Sequence, residues 1–184
     1  MKWTEALEHR VGVRLSDGED FKAQPAVKAA RYVSDTGELA WDTEKKTVTI
    51  DTRRSKGVIG RGGEFALGDV KINVASEWAT VQATVIDGWD FAHALRILIT
   101  ATGAAENTGM KWRDAAKTSV GTDWGSAPSV VEGITATITL PTAGKLKAWA
   151  LDERGQRRGE IPLDGGRLQL SAEHKTLWYE VAVE

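Results

Sequence analysis

Tryptophan is the residue through which this sequence is best equipped to recognise a ligand. Eight tryptophans stand against two tyrosines and three phenylalanines. The indole face is large and flat and loses little entropy when its two χ angles are fixed. It can stack on the C–H face of a sugar ring, whose hydroxyls then need planar polar partners such as Asn, Asp, Glu and Arg. The competing role for any tryptophan is core or half-buried packing. Local alternation sorts the set. Trp41 shares a stripe with Leu39 and is expected in the core. Trp78 sits at the start of a strand and fits either role. Trp149 and Trp178 fall opposite the apolar stripes of their strands, where they suit a flat binding face or a packing interface. Trp112 and Trp124 flank a long polar segment, and Trp89 lies at a hairpin tip between Asp87 and Asp90. Core packing does not demand an aromatic on a polar loop, so Trp112, Trp124 and Trp89 are the expected ligand-facing residues. Glu106, Asn107 and Asp123 are their polar companions, although Asn107-Thr108-Gly109 also reads as a turn.

Other chemistries find little material. Cysteine is absent, which removes disulfides, thiolate metal ligands and thiol catalysis. His9, His93 and His174 have no zinc-ligand spacing. His93 lies beside an apolar strand and fits a packed, hydrogen-bonded role. Twenty-six carboxylates guarantee chance pairs, so their number says nothing about glycoside hydrolysis, which needs two across a cleft with one pKa raised. No Gly-x-Ser-x-Gly nucleophile motif occurs. Arg61-Gly62-Gly63 is too short for a phosphate loop and reads as a turn between strands. Asp17-Gly18-Glu19-Asp20 lacks the Asp-x-Asp-x-Asp-Gly spacing of a calcium hand and reads as a solvated acidic turn, leaving a structural Ca2+ as an open alternative.

The elements that must position these residues are strands. Val70, Ile72 and Val74 alternate with polar neighbours, and so do Val81, Ala83 and Val85. Asp87-Gly88 gives a hairpin signal before Leu95, Ile97 and Ile99. Residues 113–128 read as a long polar loop, with a short helical turn possible over Arg113 to Thr118. Ile134, Ala136, Ile138 and Leu140 then alternate with threonines. Leu146, Ala148 and Ala150 follow, then Leu168 and Leu170, then Leu177, Tyr179, Val181 and Val183. Helical periodicity is nearly absent outside Lys2 to His9. About a dozen short strands with one-sided alternation predict an all-β, antiparallel β-sandwich of jelly-roll-like type.

Composition agrees. The chain has 184 residues, 41% hydrophobic and 27% charged, enough for one domain with a real core. The formal net charge is −2, which excludes a strongly basic nucleic-acid footprint. No apolar run approaches a membrane span of about 18 residues, and Met1 to Glu5 lacks the apolar stretch of a signal peptide. The expected organisation is a lead-in over residues 1–29, with one strand through Val11, Val13 and Leu15, and a β-sandwich over residues 30–184.

Three stretches carry a family resemblance. They are Ser34-Asp35-Thr36-Gly37-Glu38-Leu39-Ala40-Trp41-Asp42 with Val48 to Arg53, then Arg96 to Ala101 with Ala105-Glu106-Asn107-Thr108-Gly109-Met110-Lys111-Trp112, then Lys147 to Asp152 with Thr176 to Glu180. Together they resemble the C-terminal β-sandwich accessory regions that follow the catalytic barrel in multimodular bacterial glycoside hydrolases. The resemblance covers roughly residues 30 to 184 and rests on strand and turn patterns, so it carries no catalytic residue onto this chain. It implies a carbohydrate-active context and an extracellular parent enzyme; together with the tryptophans and the lack of a catalytic motif, the expected reading is a non-enzymatic, monomeric, cofactor-free carbohydrate-binding module beside a tethered catalytic domain. Plant-type polysaccharide, β-glucan, cellulose or xylan, would be the partner, with no nucleic acid and no membrane. The alternative is a structural sandwich that packs against the barrel through Trp3, Trp149 and Trp178 and binds no sugar. Far-UV circular dichroism is expected to show dominant β-sheet. A spectrum with a third or more helix would overturn the strand reading.

Overall fold

The computed structural model describes Glu8, residues 29–141 and residues 144–184. The lead-in with its strand, the Lys2 to His9 turn, the Asp17 to Asp20 loop and Trp3 lie outside the described residues, Glu8 and Ala29 excepted. The described chain runs β1 (Arg31–Val33), β2 (Leu39–Asp42), β3 (Thr47–Asp51), β4 (Ser55–Leu67), β5 (Val70–Gly88), β6 (Ala94–Thr102), β7 (Ala105–Thr108), β8 (Ser126–Val131), β9 (Ala136–Thr139), β10 (Leu146–Leu151), β11 (Arg157–Ile161), β12 (Leu163–Asp164), β13 (Arg167–Leu170) and β14 (Trp178–Val183). A single 3-10 turn, Ala172–His174, precedes β14. Every strand pairing is antiparallel. No helix of the described residues is long and apolar enough to cross a membrane.

Two long strands organise the sandwich. β4 and β5 have 13 and 19 residues, well beyond an ordinary strand. Their pairing breaks between Arg61 and Gly63, where the partners jump from Trp78 to Val74. Three residues, Ala75 to Glu77, thus face Gly62 alone. A bulge of this kind bends a strand and increases its twist. Gly62 is required there, because a Cβ would stand 2.2 Å from the Ser76 carbonyl oxygen. The backbone groups freed by the bend find partners in Thr135: its carbonyl accepts from the Ala75 and Ser76 amides, and its amide donates to Ser76 Oγ at 2.8 Å.

The bend lets one hairpin serve two layers. Beyond it, Gly63 to Leu67 and Val70 to Val74 continue into β9, β13 and β12. Before it, the same strands lie in the order β1-β2-β3-β4-β5-β6-β14-β10-β11. One core fills the space between. Ile72, Val74, Ala136, Ile138, Leu168 and Leu170 belong to the smaller layer. Val81, Val85, Ile97, Ile99, Ala148, Tyr179 and Val181 belong to the larger, and all are buried in one cluster. Alanines opposite branched residues let the layers interdigitate.

The all-β sandwich expected from the alternation is therefore present, with local differences. Trp41 is not in this core. Its cross-strand neighbours are Tyr32 and Val48, and Val48 faces Ile59, on the outer side of the large layer. The Trp41 ring stacks on Tyr32 at 5.6 Å, and Leu39 beside it is 45% exposed. Here Ala40, Thr49 and Val58 form the inward row, so the larger hydrophobics mark the wrong face. Leu95 is exposed as well, because bulges near Asp87 and Gly88 shift the start of β6. Asp87-Gly88 is not a two-residue turn: β5 runs through Gly88, and residues 89–93 make the connection. Arg61-Gly62-Gly63 is the bulge rather than a turn. Residues 113–118 form a turn without a helix, closed by the Lys117 amide on the Asp114 carbonyl.

The fully buried Leu168 tests the two-layer core. Leu168→Ala is expected to cost about 2–5 kcal/mol in chemical denaturation. The exposed Leu39→Ala should stay within about 0.5 kcal/mol. Equal costs would contradict the assignment of faces.

Candidate functional site

Trp89 is the most accessible large hydrophobic residue of the described chain, at 73% exposure. The loop behind it is firmly held. Phe91 is buried in the core, with Lys56 Nζ 6.0 Å from its ring centre. Lys56 itself is buried and bonds the Asp51 carboxylate. Asp90 Oδ1 accepts from the His93 amide at 2.9 Å and lies 2.8 Å from His93 Nδ1. These bonds from His93 keep the Asp90 carboxyl below the usual aspartate range. With the loop pinned by Phe91 and Asp90, Trp89 is left facing solvent.

Arg53 braces the indole from the neighbouring connection. Its Nε donates to the Trp89 carbonyl at 3.2 Å, and its guanidinium carbon sits 5.6 Å from the ring centre, a cation–π arrangement. Arg54 donates to the Val85 carbonyl at 2.9 Å. Trp89, Gly88, Glu38, Thr52, Arg53 and Arg54 line a shallow depression of about 390 Å3. The result is an oriented aromatic surface edged by planar ionic groups and a hydroxyl.

The second aromatic pair lies on the separate β7–β8 hairpin. Trp112 Nε1 donates to Glu106 Oε1 at 2.9 Å, and Lys117 Nζ reaches the same oxygen at 2.8 Å while standing 5.7 Å from the Trp112 ring. The bonds from Lys117 and then Trp112 hold the Glu106 carboxyl below the usual glutamate range. Trp112 is consequently half-buried and clamped. Asn107 is a strut: its Nδ2 donates to the Trp124 carbonyl at 3.0 Å, and its Oδ1 accepts from Ser129 Oγ at 2.6 Å. Asp123 is exposed, and its carbonyl accepts from the Lys111 amide. Gly125, at φ +68°, closes the loop where a Cβ would stand 2.4 Å from the Thr108 carbonyl oxygen. Trp124 remains 62% exposed on this fixed backbone.

The structure thus divides the six expected residues. Trp89 precedes β6, while Glu106, Asn107, Trp112, Asp123 and Trp124 follow its other end. Nine residues of strand separate them, about 30 Å at 3.3 Å per residue. Trp89 and Trp124 thus lie on connections at opposite ends of β6.

A second concavity, of about 650 Å3, has no tryptophan in its lining. It lies where β1 to β3 continue past the bend of β4. Arg31, Asp42, Lys45, Thr47, Thr49, Gly62, Glu64 and Phe65 are among its lining residues. These positions are dispersed in sequence, and no motif unites them. The Gly-Gly pair at 62–63 was the one local signal, and it marks the bend rather than the cleft.

Trp149 and Trp178 face outward, as the alternation requires. Trp149 is covered by Arg157, whose guanidinium carbon lies 3.7 Å from the ring centre. Arg157 and Arg96 both donate to Glu180 Oε1, at 2.5 and 3.2 Å, and leave Glu180 only 5% exposed. Trp178 and Trp78 stay partly open on the same outer face. Among the described residues no cluster of three or more His, Asp or Glu side chains is arranged to hold a metal ion. Comparison with protein-family models, with curated proteins and with solved structures finds no match to this chain.

Burial pushes the Glu180 carboxyl up, and the hydrogen bonds from Arg157 and Arg96 outweigh it, so the group ionises below the ordinary glutamate value of 4.5. A carboxyl depressed in this way stabilises the fold above pH 4.5 and loses that contribution as the pH falls through its folded value. Glu180→Gln is therefore expected to lower Tm at neutral pH and to lose less Tm than wild type on acidification to about pH 3. Parallel Tm–pH curves would contradict the role assigned to the two arginines.

Proposed function

We propose that the chain is a non-catalytic carbohydrate-binding module of β-sandwich form, acting on plant-type polysaccharide beside a tethered glycoside hydrolase in an extracellular parent. The observation that carries this reading is Trp89: an indole 73% exposed, braced by Arg53, beside a depression edged by Glu38, Thr52 and Arg54. An exposed aromatic normally collapses onto the surface or swings freely. Here the loop is fixed by Phe91 and Asp90, so the ring is held ready and little ordering entropy opposes stacking. Trp124 gives a second, distant contact for a long polymer. Two separated contacts on one strand raise the effective local concentration, and the module does the same for the catalytic domain attached to it.

A second reading is favoured by a different observation. Trp78, Ile59 and Leu39 are exposed on the outer face of the large layer, and Trp178 is partly so. In that reading the face packs against a catalytic barrel and the sandwich binds no sugar.

Affinity electrophoresis in soluble neutral β-glucan and in neutral xylan separates the two. Trp89→Ala is expected to weaken binding by about 1–3 kcal/mol, by analogy with aromatic stacking on bases. Its Tm should move little, as for other exposed substitutions. Trp112→Ala is expected instead to lower Tm, because it frees Glu106 and Lys117. Wild type that runs unretarded in both polymers, or Trp89→Ala that binds as wild type, would remove the platform reading and leave the packing face.

A further inference from the structure

We infer that the cleft between the β1–β3 face and the bent end of β4 is a second saccharide site, selective for a sugar that bears a carboxylate, such as a uronic acid residue of a xylan. The ligand class rests on the carbohydrate reading above; the location and the charge preference rest on the cleft itself.

The floor is built by register. Arg31, Asp42 and Thr47 stand side by side on β1, β2 and β3, and Ala40 and Thr49 form the next row. The wall is the backbone of Gly62 and Gly63, followed by Glu64 and Phe65. Gly62 and Gly63 bring no side chain to this wall. A volume of about 650 Å3 lies within the range of about 300–1,000 Å3 usual for small-molecule sites.

What decides the ligand is which polar groups are already committed. Both carboxylates are. Asp42 accepts from the Lys45 amide at 2.8 Å and faces Lys45 Nζ at 3.9 Å. Glu64 accepts from Asn73 Nδ2 at 3.3 Å. The two arginine side chains are not: among the described residues neither the Arg31 nor the Arg61 guanidinium has a hydrogen-bond or ion-pair partner. Nor do the hydroxyls of Thr47 and Thr49 bond any described group, although Thr47 is buried. The uncommitted inventory is the Arg31 guanidinium and two hydroxyls on the floor, with Arg61 at the rim where β4 begins to bend and the half-buried Phe65 ring as an apolar side. Arginine pairs with carboxylate through two parallel N–H···O bonds. Threonine hydroxyls both donate and accept, as sugar hydroxyls require. A neutral sugar would leave the guanidinium groups without an anionic partner. A bare anion would leave the threonines unused.

The cleft and the Trp89 depression lie at opposite ends of β3, so each can be tested alone. The probe is glucuronoxylan, set against the same polymer after chemical reduction of its carboxyl groups. Wild type is expected to bind the native polymer about tenfold or more tightly than the reduced one. Arg31→Ala with Arg61→Ala is expected to abolish that preference while leaving binding to neutral β-glucan, and its sensitivity to Trp89→Ala, unchanged. Arg31→Lys with Arg61→Lys keeps the charge but loses the planar fork and is expected to behave like the alanine pair. Thr47→Val, nearly isosteric, is expected to weaken binding of the native polymer several-fold without loss of Tm. No preference in the wild type, or an alanine pair that keeps it, overturns the cleft site. A lysine pair as selective as wild type also overturns it, since diffuse charge would then suffice. Loss of β-glucan binding on Trp89→Ala with an unchanged preference in the arginine variants would leave the aromatic reading standing and the cleft reading refuted.

Discussion

The bend in the β4–β5 hairpin is the constraint on which the rest of the molecule depends. A flat hairpin of this length would lie in one sheet and leave one apolar face in water. By placing three residues of β5 against Gly62, the chain turns the hairpin so that its two halves belong to opposed layers. Val70, Ile72 and Val74 then face Val81, Ala83 and Val85 from the other side of the same core. Thr135 satisfies the backbone groups the bend exposes, and it also starts the run into β9. The same bend lifts the end of β4 away from β1 to β3. The cleft beside Arg31 and Thr47 is thus a geometric consequence of how the core is closed.

Charge is used with similar economy on the outer face of the large layer. Glu180 holds two arginines, and one of them covers Trp149. This arrangement dries a tryptophan without a third layer of protein. Trp112 is treated likewise by Lys117 and Glu106. In both cases a half-buried indole is closed off by a cation that is itself anchored to a carboxylate. Trp89 differs. Its cation, Arg53, is tied to the tryptophan's own carbonyl rather than hydrogen-bonded to a carboxylate among the described residues. Its ring stays open, and that difference sets it apart from Trp112 and Trp149.

In the carbohydrate reading proposed above, the two surfaces would work through different physics. The depression at Trp89 offers area and orientation, so it suits the apolar face of a neutral sugar. The cleft offers uncommitted donors in a confined space, so it suits a sugar with a formal charge. In that reading, their separate placement would let a long, decorated polysaccharide be held by its backbone at one point and by a side group at another.

The strand content was legible from the amino-acid order because period-two alternation is a local property. Stripes such as Ile97–Ile99, Ala136–Ile138 and Tyr179–Val181 have one polar and one apolar side, and one such side has to be buried. The outward positions of Trp149 and Trp178 follow from the same rule. Alternation fails where both sides carry hydrophobics: on β2, register against β3 and β4 decided that Ala40 faces in and Trp41 faces out. It also fails at bulges, which is why Leu95 and the Gly-Gly pair were misplaced. The site was less legible than the fold. Sequence marked Trp89 and Trp124 as loop aromatics, and both are exposed. It could not show that β6 holds them apart, or that Asn107 and Glu106 are spent on neighbours. The cleft was invisible, since Arg31, Thr47 and Arg61 meet only through strand pairing across a bent hairpin. Periodicity fixes which residues share a face; only the folded sheet and the bend in its β4–β5 hairpin determine which faces meet.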